Sequence, residues 1–174
     1  MTEPTVAEYM TKIPASADHG LLLADAEERM NIDNIRHLVV LGDGNIVGVL
    51  SNRDISVALA VPGADRKKLT VRDAMSEQPY MCPQDTPISE VARVMEAHRW
   101  GCAVVVDGDE AVGVFTTTDA LRALRALATG KPAEPAVKPT HLPPVETGAP
   151  RVFHLRHHKS ISLGTTGLFN TRPG

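Results

Sequence analysis

The chain has 174 residues, a length that suits one compact domain or two small ones. Hydrophobic residues make up 43% of it and charged residues 22%, which is the composition of a folded globular protein. An aromatic content of 3% and a net charge of -3 exclude the basic and aromatic surface of a nucleic-acid binder, so no nucleic-acid partner is expected.

The first elements are a short N-terminal segment and a β-hairpin. The N-terminus carries neither the basic region nor the apolar region of a secretory signal, and no apolar stretch reaches 18 residues. We therefore expect a cytoplasmic protein without a membrane partner. Residues 38–41 and 46–50 are apolar runs that flank the turn Gly42-Asp43-Gly44-Asn45, a pattern typical of a hairpin.

The elements of the second half follow the same order and are easier to recognise. Apolar residues recur at helical spacing from Ile88 to Met95, behind a proline suited to a helix start. Two β-branched runs, residues 102–106 and 111–116, predict a second hairpin, and helical spacing returns after Asp119. The unit is therefore a strand, a helix, two strands and a helix.

An internal repeat relates the two halves at an offset of 65 residues, without a gap. Identical pairs include Thr5 and Thr70, Met10 and Met75, Pro14 and Pro79, Val39 and Val104, Gly48 and Gly113, and Asp54 and Asp119. Each copy is too small to bury its own apolar faces. We predict an α+β fold of two β-α-β-β-α repeats, residues 1–63 and 64–128, related by a pseudo-twofold axis.

A C-terminal tail, residues 129–174, differs from the repeats in composition. It holds 7 of the 13 prolines and a net charge of +4, which is typical of an extended linker. His154 and His158 lie one helical turn apart, but no carboxylate or cysteine stands near them, so we predict no metal site. The tail is a candidate segment for docking a protein partner.

The residues with possible chemistry stand where each hairpin runs into the last helix of its repeat. The two segments read Gly48-Val49-Leu50-Ser51-Asn52-Arg53-Asp54 and Gly113-Val114-Phe115-Thr116-Thr117-Thr118-Asp119. A hydroxyl and a carboxylate three residues apart at a helix N-terminus favour binding of an anion or a polar ligand. The same spacing is that of a capping box, which only starts a helix. Both interpretations remain open at this point.

The repeat resembles a tandem pair of cystathionine-β-synthase domains, the CBS pair or Bateman module. The matching residues are the starts of the copies, 6–11 and 71–76, each followed by a proline, and the two segments that end in Asp54 and Asp119. The resemblance covers residues 5–128 and does not extend to the tail.

This resemblance implies a regulatory module that binds AMP, ADP, ATP or another adenosyl ligand in the cleft between the repeats, and that forms a homodimer. In such modules the aspartate holds the ribose, the residues before it help to hold ribose or phosphate, and an early strand contacts adenine. Carried over by position, the implied residues are Thr116, Thr117, Thr118 and Asp119 at one site and Ser51, Asn52, Arg53 and Asp54 at the other.

The early strand differs between the copies and ranks the two sites. Tyr80 and Met81 belong to an apolar strand in the second copy, whereas residues 15–20 lack the alternating apolar pattern. We therefore expect the second site to bind adenine better, and the first site to retain only its ribose end.

Other residues are assigned ordinary packing roles. Cys82 and Cys102 are expected to be buried hydrophobes, Trp100 to lie in the core or at a dimer interface, and His37 and His98 to serve surface or core packing. Without a nucleophile and base pair or a phosphate loop we expect no enzymatic activity and no cofactor. The alternative to a ligand sensor is a dimerisation scaffold in which both motifs only cap helices.

Overall fold

The computed structural model describes residues 3–132, so the predictions for the tail beyond residue 132 lie outside the described residues. Both repeats contain the same seven elements in the same order. Those of the first repeat are α1 (Val6–Tyr9), β1 (Thr11–Lys12), β2 (Ser16–Asp18), α2 (Leu23–Ile32), β3 (His37–Gly42), β4 (Asn45–Ser51) and α3 (Asn52–Leu59). Those of the second repeat are α4 (Val71–Ala74), β5 (Ser76–Glu77), β6 (Met81–Pro83), α5 (Ile88–His98), β7 (Cys102–Asp107), β8 (Glu110–Thr116) and α6 (Thr117–Thr129).

Two four-stranded sheets contain all of these strands, in the orders β2-β3-β4-β5 and β6-β7-β8-β1. Addition of 65 residues converts β2, β3 and β4 into β6, β7 and β8, which stand in the same order. The last place is held by β5 in the first sheet and by β1, the strand of the first repeat that is equivalent to β5, in the second. In each sheet the first strand runs parallel to the hairpin strand beside it, and the other pairs are antiparallel. This arrangement confirms the predicted α+β repeat fold with pseudo-twofold symmetry.

The two repeats exchange their first strands. β1 of the first repeat pairs with β8, and β5 of the second repeat pairs with β4. Glycine lets the backbones approach closely at both crossings, because a Cβ on Gly48 would stand 2.8 Å from the carbonyl oxygen of Ser76, and one on Gly113 would stand 3.0 Å from the carbonyl oxygen of Thr11. The short segment that starts each repeat therefore completes the sheet of the other.

Three apolar clusters stabilise this arrangement. One cluster lies between the first sheet and its helices, and a second, around Phe115, lies between the second sheet and its helices. The third joins the sheets face to face and includes Val39, Val49 and Val104. Because each sheet is covered on both faces, its hairpin strands are apolar at consecutive positions and do not alternate.

Two expectations on local structure change. Residues 15–20 are expected to form a poor strand, but β2 forms with the same length and burial pattern as β6. Ala17 supplies its buried position, and Ala15, just before the strand, is buried as well. Pro87 is the N-cap of α5 and not its first helical residue. Both cysteines are free and buried, as predicted. Between residues 3 and 132, none of the helices is both long and apolar enough to cross a membrane.

Candidate functional site

A cavity of about 500 Å³ opens between the repeats, at one end of the interface between the sheets. Its volume lies within the range of about 300–1,000 Å³ usual for small-molecule sites. The strand exchange assembles its wall, because β5 runs beside β4 and brings Pro79 and Tyr80 up to the first turn of α3. The first repeat contributes its Ser51-Asn52-Arg53-Asp54 segment to the same wall.

Asp54 is the residue of this wall with the most evident binding capacity. Its Oδ2 accepts hydrogen bonds from the backbone N–H of Ser51 at 2.8 Å and from the Ser51 hydroxyl at 2.5 Å. Its Oδ1 receives, from the part of the chain that the structure describes, only the long contact of the Ser76 hydroxyl at 3.5 Å. One carboxylate oxygen therefore caps α3, while the other retains acceptor capacity beside the cavity.

Asp119, the equivalent residue of the second repeat, has both oxygens occupied. Its Oδ2 accepts bonds from the backbone N–H and the hydroxyl of Thr116, each at 2.7 Å. Its Oδ1 forms a 2.6 Å ion pair with the guanidinium of Arg122. The residue is 1% exposed, whereas Asp54 is half-buried. The two motifs therefore cap their helices in the same way, but the carboxylate of Asp54, unlike that of Asp119, retains an oxygen that can accept hydrogen bonds from a ligand.

Positive charge is concentrated on the cavity wall. Arg36, Arg53 and Arg99 line it, against the carboxylates of Asp54 and Glu77. Arg36 also donates to the hydroxyl of Thr118 at 3.1 Å, which ties the first repeat to the start of α6. Guanidinium groups beside a helix N-terminus are suited to phosphate.

An aromatic stack borders the same cavity. The rings of Tyr80 and Trp100 are stacked with their centroids 5.8 Å apart, and the His98 ring also stacks on the indole, at a centroid distance of 4.3 Å. Trp100 is 40% exposed, so of the two expected places, the core and a dimer interface, the core is excluded. It stands on the short loop between α5 and β7, which leaves an aromatic face beside the cavity.

Three groups of the wall, a thiol, a phenol and an imidazole, have pKa values shifted toward their neutral forms. Burial raises the pKa of the Cys102 thiol to about 12, and the nearby Asp54 carboxylate adds to the effect. Burial also raises the pKa of Tyr80. The pKa of His37 is lowered, first by burial and then by the adjacent Arg36 guanidinium. The thiol, the phenol and the imidazole are therefore neutral near pH 7.

Acidification is expected to destabilise the protein through His37. The unfolded chain takes up a proton near the ordinary histidine pKa of 6.5, and the folded chain does so only at lower pH. This contribution to stability is thus complete above pH 6.5 and is lost as the pH falls below it. Calorimetry from pH 7.5 to 5.5 should give a steeper fall in Tm for the wild type than for His37→Gln. Parallel curves for the two proteins would contradict the assignment.

The structure groups the residues proposed from the sequence differently from the expected pairing. Six of them line the cavity: Ser51, Asn52, Arg53, Asp54, Tyr80 and Thr117. Tyr80 lies with Asp54 and not with Asp119, because β5 crosses to the first sheet. Met81 packs in the cluster between the sheets, Thr118 bonds Arg36, and Thr116 caps α6.

Sequence reasoning did not assign a ligand role to several wall residues. These residues stand at the entry to the first hairpin strand of each repeat. Arg36 directly precedes β3 and His37 begins it, while Arg99 and Trp100 lie three and two residues before β7. Arg99 also has a left-handed backbone, with φ of 56°. The available signal was positional: the 65-residue offset makes Arg36 and Gly101, which both line the cavity, equivalent residues.

Comparison with protein families gives a match along most of the described chain. The family model described as "CBS domain" matches twice, at residues 6–61 and 71–126. The chain is also similar to homoserine O-acetyltransferase of Methanococcoides burtonii, with 29% identity over 121 residues. That alignment covers 68% of this chain and 24% of the relative, so the chain spans about a quarter of the length of the curated relatives it matches.

Two solved structures show similar folds. An uncharacterized conserved protein from Pyrococcus horikoshii has 29% identity and a TM-score of 0.66, with 72% of this chain and 95% of that chain covered. The domain pair of the protein MJ0100, solved in complex with 5′-methylthioadenosine and S-adenosyl-L-methionine, has 26% identity and a TM-score of 0.66. That comparison covers 72% of this chain and 99% of the other.

Proposed function

The chain belongs to the CBS domain family, and from that premise we propose that it is a regulatory module that binds an adenosine phosphate, AMP, ADP or ATP. The proposed site is the cavity between the repeats. The observation that carries the proposal is Asp54: its Oδ1 has acceptor capacity beside a cavity lined by three arginines and an aromatic stack.

Each part of the ligand has a chemical counterpart on the wall. A carboxylate oxygen can accept hydrogen bonds from ribose hydroxyls, which is the role we assign to Asp54. The stacked rings of Tyr80 and Trp100 offer an apolar face to the adenine base. Arg53 and the N-terminus of α3 are placed to attract phosphate.

The charge of the wall favours a phosphate ligand over S-adenosylmethionine. The complex of MJ0100 holds S-adenosyl-L-methionine and 5′-methylthioadenosine, which supports recognition of the adenosyl group in this fold. In this chain the wall carries Arg36, Arg53 and Arg99. Against the two carboxylates of Asp54 and Glu77 these three guanidinium groups leave a net charge of +1, which attracts a phosphate and opposes the positive sulfonium.

A thermal-shift experiment tests the proposal directly. A ligand that binds only the native state at 100 times its Kd stabilises it by about 2.7 kcal/mol. For a chain of this size that corresponds to a rise in Tm of roughly 5–10 °C. We expect such a rise with ADP and none with inorganic pyrophosphate or adenine alone at equal concentration. An unchanged Tm with AMP, ADP and ATP, each at millimolar concentration, would refute the proposal.

The second candidate function is a dimerisation scaffold, and the helix caps favour it. In both motifs the hydroxyl accepts from the backbone N–H of the aspartate at 3.3 Å, and the aspartate in turn accepts from the hydroxyl-bearing residue. These caps account for the motifs without a ligand. The thermal-shift result with the three nucleotides decides between the candidates.

The proposed role is regulatory and not catalytic. The homoserine O-acetyltransferases that the chain resembles are about four times as long as the aligned segment. We propose that this chain contributes the ligand-binding function alone, in the cytoplasm, and that its tail reaches a protein partner.

A second copy of the chain is the partner we propose for α6. Leu121, Leu124 and Leu127 of this helix are 66%, 62% and 57% exposed. Beside them, an apolar cavity of about 220 Å³ lies between α5 and α6. Burial of such side chains against a second copy would remove them from water.

Light scattering tests the homodimer. The wild type should have the mass of two chains, and Leu124→Glu should raise the dimer dissociation constant at least tenfold, since it places a charge in the apolar face. Ile32→Glu alters a residue of similar exposure, 57% against 62% for Leu124, on α2 and should leave the mass unchanged. A monomeric wild type at micromolar concentration would disprove the dimer.

A further inference from the structure

The pseudo-twofold symmetry of the fold provides two equivalent motifs, but their carboxylates differ in the group that holds Oδ1. Among residues 3–132, Oδ1 of Asp54 is held only by the long contact with Ser76, whereas Oδ1 of Asp119 is held by Arg122. We infer that Arg122 closes the second site by occupying the oxygen that a ribose would use, so that each chain binds one nucleotide, at Asp54. This inference rests on the proposed function.

Arg122 is firmly held in the closed position. One guanidinium nitrogen, Nη2, donates to Oδ1 of Asp119 at 2.6 Å, and the other, Nη1, donates to the carbonyl oxygen of Tyr9 at 3.1 Å. Tyr9 ends α1, the segment that the first repeat contributes to this half of the molecule. The guanidinium is therefore anchored both to α6 and to the exchanged segment.

Burial makes this ion pair difficult for a ligand to displace. The side chain of Asp119 is 1% exposed and that of Arg122 is 16% exposed. A ribose hydroxyl that replaced the guanidinium would leave Arg122 partly buried without its anion, at a large desolvation cost. A neutral hydroxyl is also a weaker donor to a carboxylate than a guanidinium.

The first repeat has no arginine at the equivalent position. Offset by 65 residues, Arg122 corresponds to Val57, which stands three residues after Asp54 on α3 and is 64% exposed. The motif, the capping box and the strand exchange are common to both repeats. The residue three positions after the aspartate is thus the difference that accounts for an available Asp54 and an occupied Asp119.

Reciprocal substitutions test the inference by titration calorimetry with ADP. The wild type should bind one ADP per chain. Arg122→Val, which copies the first repeat into the second, should bind two. Val57→Arg, which copies the second repeat into the first, should weaken binding at least tenfold, because the new guanidinium can pair with Oδ1 of Asp54. Val61→Arg adds the same charge four residues further on, at a residue that is 61% exposed, and should bind as the wild type does.

The outcomes separate this inference from the function on which it rests. A wild type that binds no adenosine phosphate overturns both. A wild type that binds two ADP per chain overturns the role of Arg122 and leaves the function intact. A wild type that binds one ADP per chain does the same if that binding is lost in Asp119→Asn and kept in Asp54→Asn. If the Arg122→Val variant folds and binds one ADP per chain, the role of Arg122 is also overturned. If Arg122→Val does not fold, Val57→Arg decides, and wild-type affinity in that variant overturns the inference.

Discussion

Replacement of Asp54 by alanine is expected to weaken ADP binding by about tenfold to more than a hundredfold. The reason is the loss of hydrogen bonds from ribose hydroxyls to an ionised carboxylate, each of which contributes about 1.5–3 kcal/mol. The same substitution removes a helix cap, which costs about 0.5–2 kcal/mol of folding free energy. Titration calorimetry measures the first effect, and urea unfolding measures the second.

Asp73→Ala is the matched control for this substitution. Asp73 completes the same capping box at α4, where it accepts from the backbone N–H of Thr70 at 2.7 Å and from the Thr70 hydroxyl at 2.8 Å. It does not line the cavity between the repeats. Its replacement should lower stability by a similar amount and leave ADP affinity unchanged. Equal affinity in the wild type and Asp54→Ala would show that Asp54 only caps α3.

Replacement of Asp119 by alanine should have its largest effect on stability. The substitution breaks a buried ion pair from one side and leaves the guanidinium of Arg122, 16% exposed, without its anion. Removal of one partner from such a pair costs about 3–5 kcal/mol. Urea unfolding should therefore show a larger loss for Asp119→Ala than for Asp54→Ala. ADP binding at the first site should be retained.

A double variant separates the ion pair from the helix cap. In Asp119→Ala/Arg122→Val both charges are absent, so the double variant should be more stable than Asp119→Ala alone. The difference in folding free energy that remains between the double variant and the wild type measures the helix cap and the hydrogen bond from Arg122 to the carbonyl oxygen of Tyr9. If Asp119→Ala lowers the free energy of unfolding no more than Asp54→Ala does, the ion pair contributes little to folding.

The repeat was predictable because the two copies carry identical residues at a constant offset of 65 positions. The hairpins and the two motif helices were predictable because local residues decide them. The apolar runs at residues 102–106 and 111–116, and the spacing of hydroxyl and carboxylate at Ser51 and Asp54, depend on neighbours a few positions away. The capping boxes formed at both motifs because that contact joins residues three positions apart.

Only the tertiary structure decided which residues meet in one cavity. The strand exchange placed Tyr80 beside Asp54, through pairing of β5 with β4 that Gly48 permits by its lack of a Cβ. Residues Ser16–Asp18 form the strand β2 because β3 supplies the hydrogen bonds, so the side-chain pattern alone underestimated it. The state of the two carboxylates depended on a third group: Arg122 reaches Asp119, and the exposed Val57 leaves Asp54 available, because a guanidinium can fill the last acceptor of a carboxylate and a valine cannot.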